Sequence, residues 1–222
     1  SSMPFAYQPG ENDIATTDLV GAKNLVDAAK AAGVHGFVYT SLSANMDLDY
    51  PLRNAKRAVE QHLKQSGLTY TILRPSYFME VWLSPAVGFD AANGKVAIYG
   101  TGSQPISWIT VPDVARFAVA SLENPAAANA TLEFGGPASL SPLQVVGIFE
   151  KASGRKFELQ YVPAEALAEQ QAAATDPMQQ SFSGLMRCYA AGDPIDMRDT
   201  LKAFPMALTS VEDFVHKMHI TA

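Results

Sequence analysis

The chain has one cysteine, Cys188, among its 222 residues. No intrachain disulfide can form, and a reducing, cytoplasmic setting is the plain expectation. A lone cysteine in an apolar helical stretch reads as an inert thiol rather than a reactive one. Basic charge is also scarce: 16 Lys and Arg stand against 22 Asp and Glu, for a formal net charge of -6 and a pI near 5.2. Polyanions are held by cations that neutralise phosphate, so nucleic acid is not expected as a partner. No stretch reaches the roughly 18 apolar residues of a spanning helix, and no charged-then-apolar leader opens the chain, so no membrane partner is expected. A Gly-x-Ser-x-Gly elbow is missing, which removes the usual sign of a hydrolase. No metal is expected either, because His216 and His219, three apart, have no third ligand nearby and read as solvated.

What the chain does have is an alternation of helical and strand-like stretches, with 48% hydrophobic residues to build one core, or one core and a lobe. Residues 1–12, with Pro4, Pro9 and Gly10, read as a loop. From Asp13 to Ala32, Leu19, Ala22, Val26 and Ala29 form one stripe with Leu25 beside it, the period of a helix packed on a sheet. Gly33 stops it, and Val34 to Ser41 follows as a buried strand ending in two hydroxyls. Ligands of open α/β sheets bind at strand ends, so Thr40 and Ser41 either face a ligand or satisfy loop backbone. The next helix, about Leu52 to Ser66, is closed by Gly67, and Lys56 shares its apolar stripe with Leu52, Val59 and Leu63. Leu68 to Pro75 is a second strand, ended by a proline that cannot donate to a ladder. Helix, strand, helix, strand with short links calls for right-handed crossovers and a parallel sheet.

Further on, Gly94 to Gly100 reads as a short strand. Gly100-Thr101-Gly102-Ser103 is a turn rather than a phosphate loop, because no helix starts after it and the apolar run Ile106 to Val111 follows instead. Pro112-Asp113 opens a helix with Val114, Ala115, Ala118 and Leu122 inward, Asp113 being a first-turn charge. A strand is expected at Thr131 to Phe134, a boxed helix from Ser141 to Gly154, a strand at Phe157 to Val162 and a helix at Pro163 to Ala174. A last capping box, Thr209 with Glu212, precedes the stripe Val211, Phe214, Val215 and Met218.

Residues 25–34 with Phe37-Val38-Tyr39-Thr40-Ser41, then Asn54-Ala55-Lys56-Arg57-Ala58-Val59-Glu60, Gly67 to Met79 with its Leu-Arg-Pro core, and Ile109 to Ala115 resemble the NmrA-like, atypical short-chain dehydrogenase/reductase family. The succession covers residues 13–165, and the helical tail is only loosely similar. The resemblance implies an α/β, Rossmann-like parallel sheet that binds NAD or NADP, with a small helix-rich C-terminal lobe. Residues 1–140 would belong to the dinucleotide domain, with 68–112 on the substrate side, and 141–222 to the substrate lobe. It also implies that Thr40 and Ser41 lie beside the nicotinamide, that Lys56 bonds its ribose, and that Pro75, Ser76, Tyr77 and Phe78 cover the ring. An ammonium on a sheet-facing stripe needs a polar partner, which a ribose diol supplies; the alternative is snorkelling helped by Glu60. The substrate lining expected is Phe78, Met79, Trp82 and Trp108, each of which could equally be plain core.

Two departures from the family pattern stand out. The position four before Lys56, where such dehydrogenases carry tyrosine, is Leu52; Tyr50 is six before, the wrong helical phase. Acid catalysis would then fall to Ser41, Ser43, Tyr50, water or the substrate, with Lys56, Ser41 and Tyr50 as the catalytic candidates. The glycine-rich strand–turn–helix fingerprint is missing too. Ser1 to Tyr7 is similar to the loop after the family's fourth strand, so the expectation is an N-terminally incomplete sheet, lacking roughly 70–90 residues by the arithmetic of βαβ units. Its cut edge would be covered by self-association or by the missing segment. The function expected is an NAD(P)-dependent oxidoreductase, or a fragment of one, acting on a small apolar or aromatic molecule such as a quinone or enone. The alternatives are a dinucleotide-sensing regulator without turnover and, less well supported, a sugar-nucleotide epimerase.

Overall fold

The computed structural model describes residues 8–218; Ser1 to Tyr7 and His219 lie outside the described residues. Asp13 opens the first helix: its carboxylate accepts from Thr16 N, and the Thr16 hydroxyl accepts from Asp13 N. The single helix expected here is two. A π-helix, Ile14–Gly21, runs into α1 (Ala22–Ala31), and Ala22 N donates five residues back to Thr17 O. On the inward face Ile14 and Asp18 are buried, Val26 follows in α1, and Leu25 is left 60% exposed.

Gly33, at φ 67°, ends that segment and β1 (Gly36–Thr40) follows. Then come α2 (Pro51–Gln65), β2 (Thr69–Pro75), the one-turn α3 (Met79–Trp82), β3 (Phe89–Asp90) and β4 (Lys95–Tyr99). The remaining elements are α4 (Val111–Ser121), β5 (Ala130–Phe134), α5 (Pro142–Ser153), β6 (Glu158–Val162), α6 (Ala164–Ala173), α7 (Pro177–Ala191), α8 (Arg198–Ala203) and α9 (Val211–Lys217). β1, β2 and β5 form a parallel sheet in that order, with Thr40 opposite Leu73 and Arg74 opposite Glu133. Because side chains alternate along a strand, Phe37, Tyr39, Tyr70 and Ile72 pack beneath α1 and α2 with Val26 and Leu63. The opposite face carries Leu73, Phe134 and Val38 against Val114 and Phe117 of α4 and against Met197 and Phe204. Helices therefore cover both faces, as parallel strands require. Among the described residues β1 has no strand on its other edge, and Val20, Leu25 and Val34 are exposed.

A second sheet pairs β3 antiparallel to β4 and β4 parallel to β6, so a strand beyond residue 140 closes on one before it. Between this sheet, α5 and α7 sits the largest core, in which Trp82 stacks on Tyr189 and Tyr77 meets both rings edge-on.

Three expectations need correction. In α4 the inward residues are Val114, Phe117 and Ser121, while Ala115 and Leu122 face outward, Leu122 with 68% of its surface exposed. The run Ile106 to Thr110 makes no ladder: Ile106 bridges to Leu140 and Asp193 and Ile109 to Phe78, so its partners change within three residues. The last capping box is Ser210 with Asp213, because Thr209 is taken by Asp113, which accepts from its N and hydroxyl. Asp113 is thus a fully buried tie between α4 and the chain before α9, more than a first-turn charge.

Candidate functional site at the strand ends

The carboxyl ends of β1 and β2 lie side by side. Past β1 the chain stays on its neighbour: Ser41 N donates to Leu73 O at 2.7 Å and Ser43 N to Pro75 O at 3.1 Å. Thr40 is exposed, and Lys56 reaches it from α2, donating to Thr40 O at 3.4 Å. The ammonium lies 5.2 Å from the centre of the Tyr39 ring and 3.8 Å from Asp18 Oδ1. Its side chain is 16% exposed, so it does not point into bulk water. Burial pushes the Lys56 ammonium below the usual lysine range, and the Asp18 carboxylate acts against that.

The other expected residues divide. Thr40, Lys56, Pro75 and Ser76 are brought together at these ends; Ser76 N donates to Phe134 O, and its hydroxyl is buried with no partner among the described residues. Ser41 also lies here, but its hydroxyl is buried and turned to Arg57, 3.4 Å away. Tyr77 is core, donating to Leu185 O at 3.1 Å, while Phe78 stays half-buried. Met79, Trp82 and Trp108 pack in the large core, Trp108 donating through Nε1 to Leu140 O.

Tyr50 does not join the strand-end group. It is 1% exposed, its hydroxyl donates to Met46 O at 3.4 Å, and its ring lies where a Cβ on Gly184 would sit, 2.6 Å away. Burial and the nearby Cys188 push the phenol far up, and the cations that act on it are Arg57 and Arg53, not Lys56. Tyr50 is the extended N-cap before α2, at φ -156° and ψ 154°, so no helical period carries its side chain toward Lys56. Cys188 is itself buried, and burial pushes its thiol up.

Sequence reasoning missed what fixes the loop after β1. Glu60, 3% exposed, does not assist Lys56; it pairs with Arg57 and Arg74 on the sheet-facing side of α2. Arg57 goes on to donate to Leu42 O at 2.8 Å and Ser43 O at 2.7 Å, and Glu133, paired with Arg74, accepts from Ala44 N at 3.0 Å. Burial pushes the Glu60 carboxyl up, but hydrogen bonds from Arg74 and Ser41 and the charges of both arginines outweigh it and hold it below the usual range. Glu133 goes the other way, raised by burial. From the far side Asp193, fully buried, accepts from the Ser43 hydroxyl at 2.6 Å and from Asn45 Nδ2 at 2.8 Å. Arginine on a strand within the Leu-Arg-Pro run was the available signal, since a cation there needs a buried carboxylate.

Two clefts lie elsewhere, one of about 760 Å³ between Pro112, Arg116, His216 and Lys217, and one of about 440 Å³ between Asp49, Asn54, Gln171 and Arg187. Neither includes Thr40 or Lys56. Among the described residues no group of three or more His, Cys, Asp or Glu could hold a metal, and no helix is long and apolar enough to cross a membrane.

Residues 11–215 match the NmrA-like family. The chain belongs to that family. This NmrA-like chain is 33% identical over 152 residues to Photosystem II assembly factor Ycf39 of Guillardia theta, covering 68% of itself and 48% of that protein. It is 30% identical over 184 residues to the NAD(P)H azoreductase of Xenophilus azovorans, 82% of itself and 63% of the relative. It therefore spans less than two thirds of the length of either. Its fold is Rossmann-like: the NADPH-dependent quinone oxidoreductase QOR2 of Escherichia coli, solved with NADPH, superposes with a TM-score of 0.73 at 22% identity, over 95% of this chain and 73% of that one. The triphenylmethane reductase of a Citrobacter species, solved with NADP(H), gives 0.72 at 22%, over 95% and 74%.

Proposed function

We propose that this NmrA-like chain is an NAD(P)-dependent reductase, or a fragment of one, acting on a small apolar or aromatic molecule such as a quinone or enone. The observation that carries the reading is Lys56: a buried ammonium at the end of a parallel strand, with one long hydrogen bond to Thr40 O and donors left for a ribose diol. The unpartnered Ser76 hydroxyl supplies a second polar atom there. Thr40, Lys56, Ser76 and the half-buried Phe78 would hold the nicotinamide end, and the group would supply a hydride when bound. Among the described residues nothing offers a glycine-rich cradle for the pyrophosphate, so the fit is to one end of the dinucleotide only. The names of the azoreductase, quinone oxidoreductase and triphenylmethane reductase support a small aromatic or quinone-like substrate. The unpaired edge of β1, with Val20, Leu25 and Val34 exposed beside it, suits cover by a strand from a second copy or another segment.

A specific observation favours the runner-up, a dinucleotide sensor without turnover: the Tyr50 phenol is sequestered in the core, and the phenol beside Lys56, Tyr39, has a buried hydroxyl that burial and the Asp18 and Glu60 charges push far up. One experiment separates the two. The chain alone is expected to bind NADPH with a dissociation constant above about 1 mM, yet to show saturation transfer to the nicotinamide-ribose protons, which Lys56→Gln weakens roughly tenfold through loss of a charge-assisted bond. Loss of dihydronicotinamide absorbance on adding a quinone supports the reductase, and contact without oxidation supports the sensor. No contact at several times that concentration, or equal contact in Lys56→Gln, defeats both.

A further inference from the structure

Among the described residues the π-helix at Ile14–Gly21 is the one irregular helix on the sheet face that carries Lys56. Ile14 and Asp18, four residues apart, share its inward face. Asp18 is 3% exposed there, and its carboxylate comes within 3.8 Å of Lys56 Nζ. A buried carboxylate is costly to desolvate, so its placement beside a buried ammonium offsets two penalties at once. π-helical turns recur at functional sites.

We propose that Asp18, on the inward face of the π-helix, is a positioning residue for Lys56 that holds the ammonium charged and directed at the end of β1. The role rests on the proposed dinucleotide site for its purpose, though not for its test. The groups facing Lys56 can be named element by element. The π-helix contributes Asp18, and β1 contributes the Tyr39 ring and the Thr40 carbonyl. On α2 itself the neighbouring charges, Arg57 and Glu60, are engaged with each other and with Arg74. Desolvation favours the neutral amine and Asp18 favours the cation, so losing the carboxylate lets the amine shed its proton at lower pH. A neutral amine could still meet a ribose hydroxyl, but with a weaker, uncharged hydrogen bond.

The test reads the amine directly and needs no dinucleotide. In protein labelled with 13C at the lysine ε-carbon, Lys56→Arg identifies the Lys56 signal, and its shift is followed against pH. Asp18→Asn is expected to move the titration midpoint to lower pH, raising the free-amine fraction at a fixed pH below the midpoint roughly tenfold, the low end for removing an opposite charge at this range. Asp18→Glu restores most of the shift. Asp18→Ser is the second neutral variant, so either one that keeps wild-type circular dichroism decides the matter. A Lys56 midpoint unchanged in a folded neutral variant, or one that Glu fails to restore, overturns the proposal. Because the titration is done on the free chain, failure of NADPH binding would leave this result standing, and failure here would leave the binding result standing.

Discussion

Glu60→Gln is expected to lower the unfolding free energy by about 3 kcal/mol, the low end for breaking a buried ion pair by removing one partner. Glu60 has 4% of its side chain exposed and serves two arginines that keep 17% and 19% of theirs. An amide of the same shape presents its NH2 to one guanidinium, which then loses its bond to position 60 and the opposing charge. Arg57 also carries the loop after β1 through Leu42 O and Ser43 O, so the loss is expected to appear there as faster amide exchange at Ser43 and Ala44. The pH dependence has a definite sign. The folded-state carboxyl is held below its ordinary value of 4.5, so its contribution is present above that pH and fades as pH falls through the folded value. Urea melts of the two proteins should therefore differ most at neutral pH and converge as the pH falls below 4.5 through the folded-state value. A difference that stays constant with pH would show that the effect is one of shape rather than charge.

Gly136→Ala is expected to be worse, costing more than about 4 kcal/mol, a loss that few single substitutions reach. A Cβ there would lie 1.9 Å from Trp108 O and 3.0 Å from Trp108 C, both backbone atoms that cannot swing aside. Gly136 N also donates to Ser107 O, so retreat would break the crossing between the two strand-like segments. The variant should either fail to accumulate as folded protein or melt more than about 10 °C below wild type. Gly147→Ala serves as the control: it lies within α5, a Cβ there meets nothing within 4 Å, and its expected effect is a gain of about 0.5–1 kcal/mol. Equal behaviour of the two variants would mean that the close approach at Gly136 is relieved by backbone movement.

Much of the architecture could be read from local chemistry. Runs such as Phe37-Val38-Tyr39 and Thr71-Ile72-Leu73, set between glycine-closed helices, leave few choices but parallel strands, and the box at Ser141 with Gln144 formed as read. Lys56 was legible because one cation on an apolar stripe breaks the pattern. Where reading failed, the cause was information the local period does not hold. In α4 the apolar residues lie all round the helix, so periodicity could not tell that Phe117 goes inward and Leu122 outward. Asp18, four before Ala22, fits the helical period and was passed over because its cation, Lys56, lies on another helix. The box at Ser210 was read one residue early because Thr209 is claimed by Asp113, 96 positions away. The Glu60 network was missed for a similar reason: its members sit on α2, β2 and β5, and only the register that sets Arg74 opposite Glu133 brings them together.

The bond from the Ser43 hydroxyl to Asp193 joins positions 150 apart in the chain. A ribosome must therefore emit the chain through Asp193 before the turn following β1 can acquire this fastening. Until then that turn is held by α2 and its neighbouring strands, and nascent chains stalled short of α7 would carry the strand-end constellation in a loosened form. Assembly of this region is thus tied to the emergence of the segment after α7 rather than to the early helices that flank it.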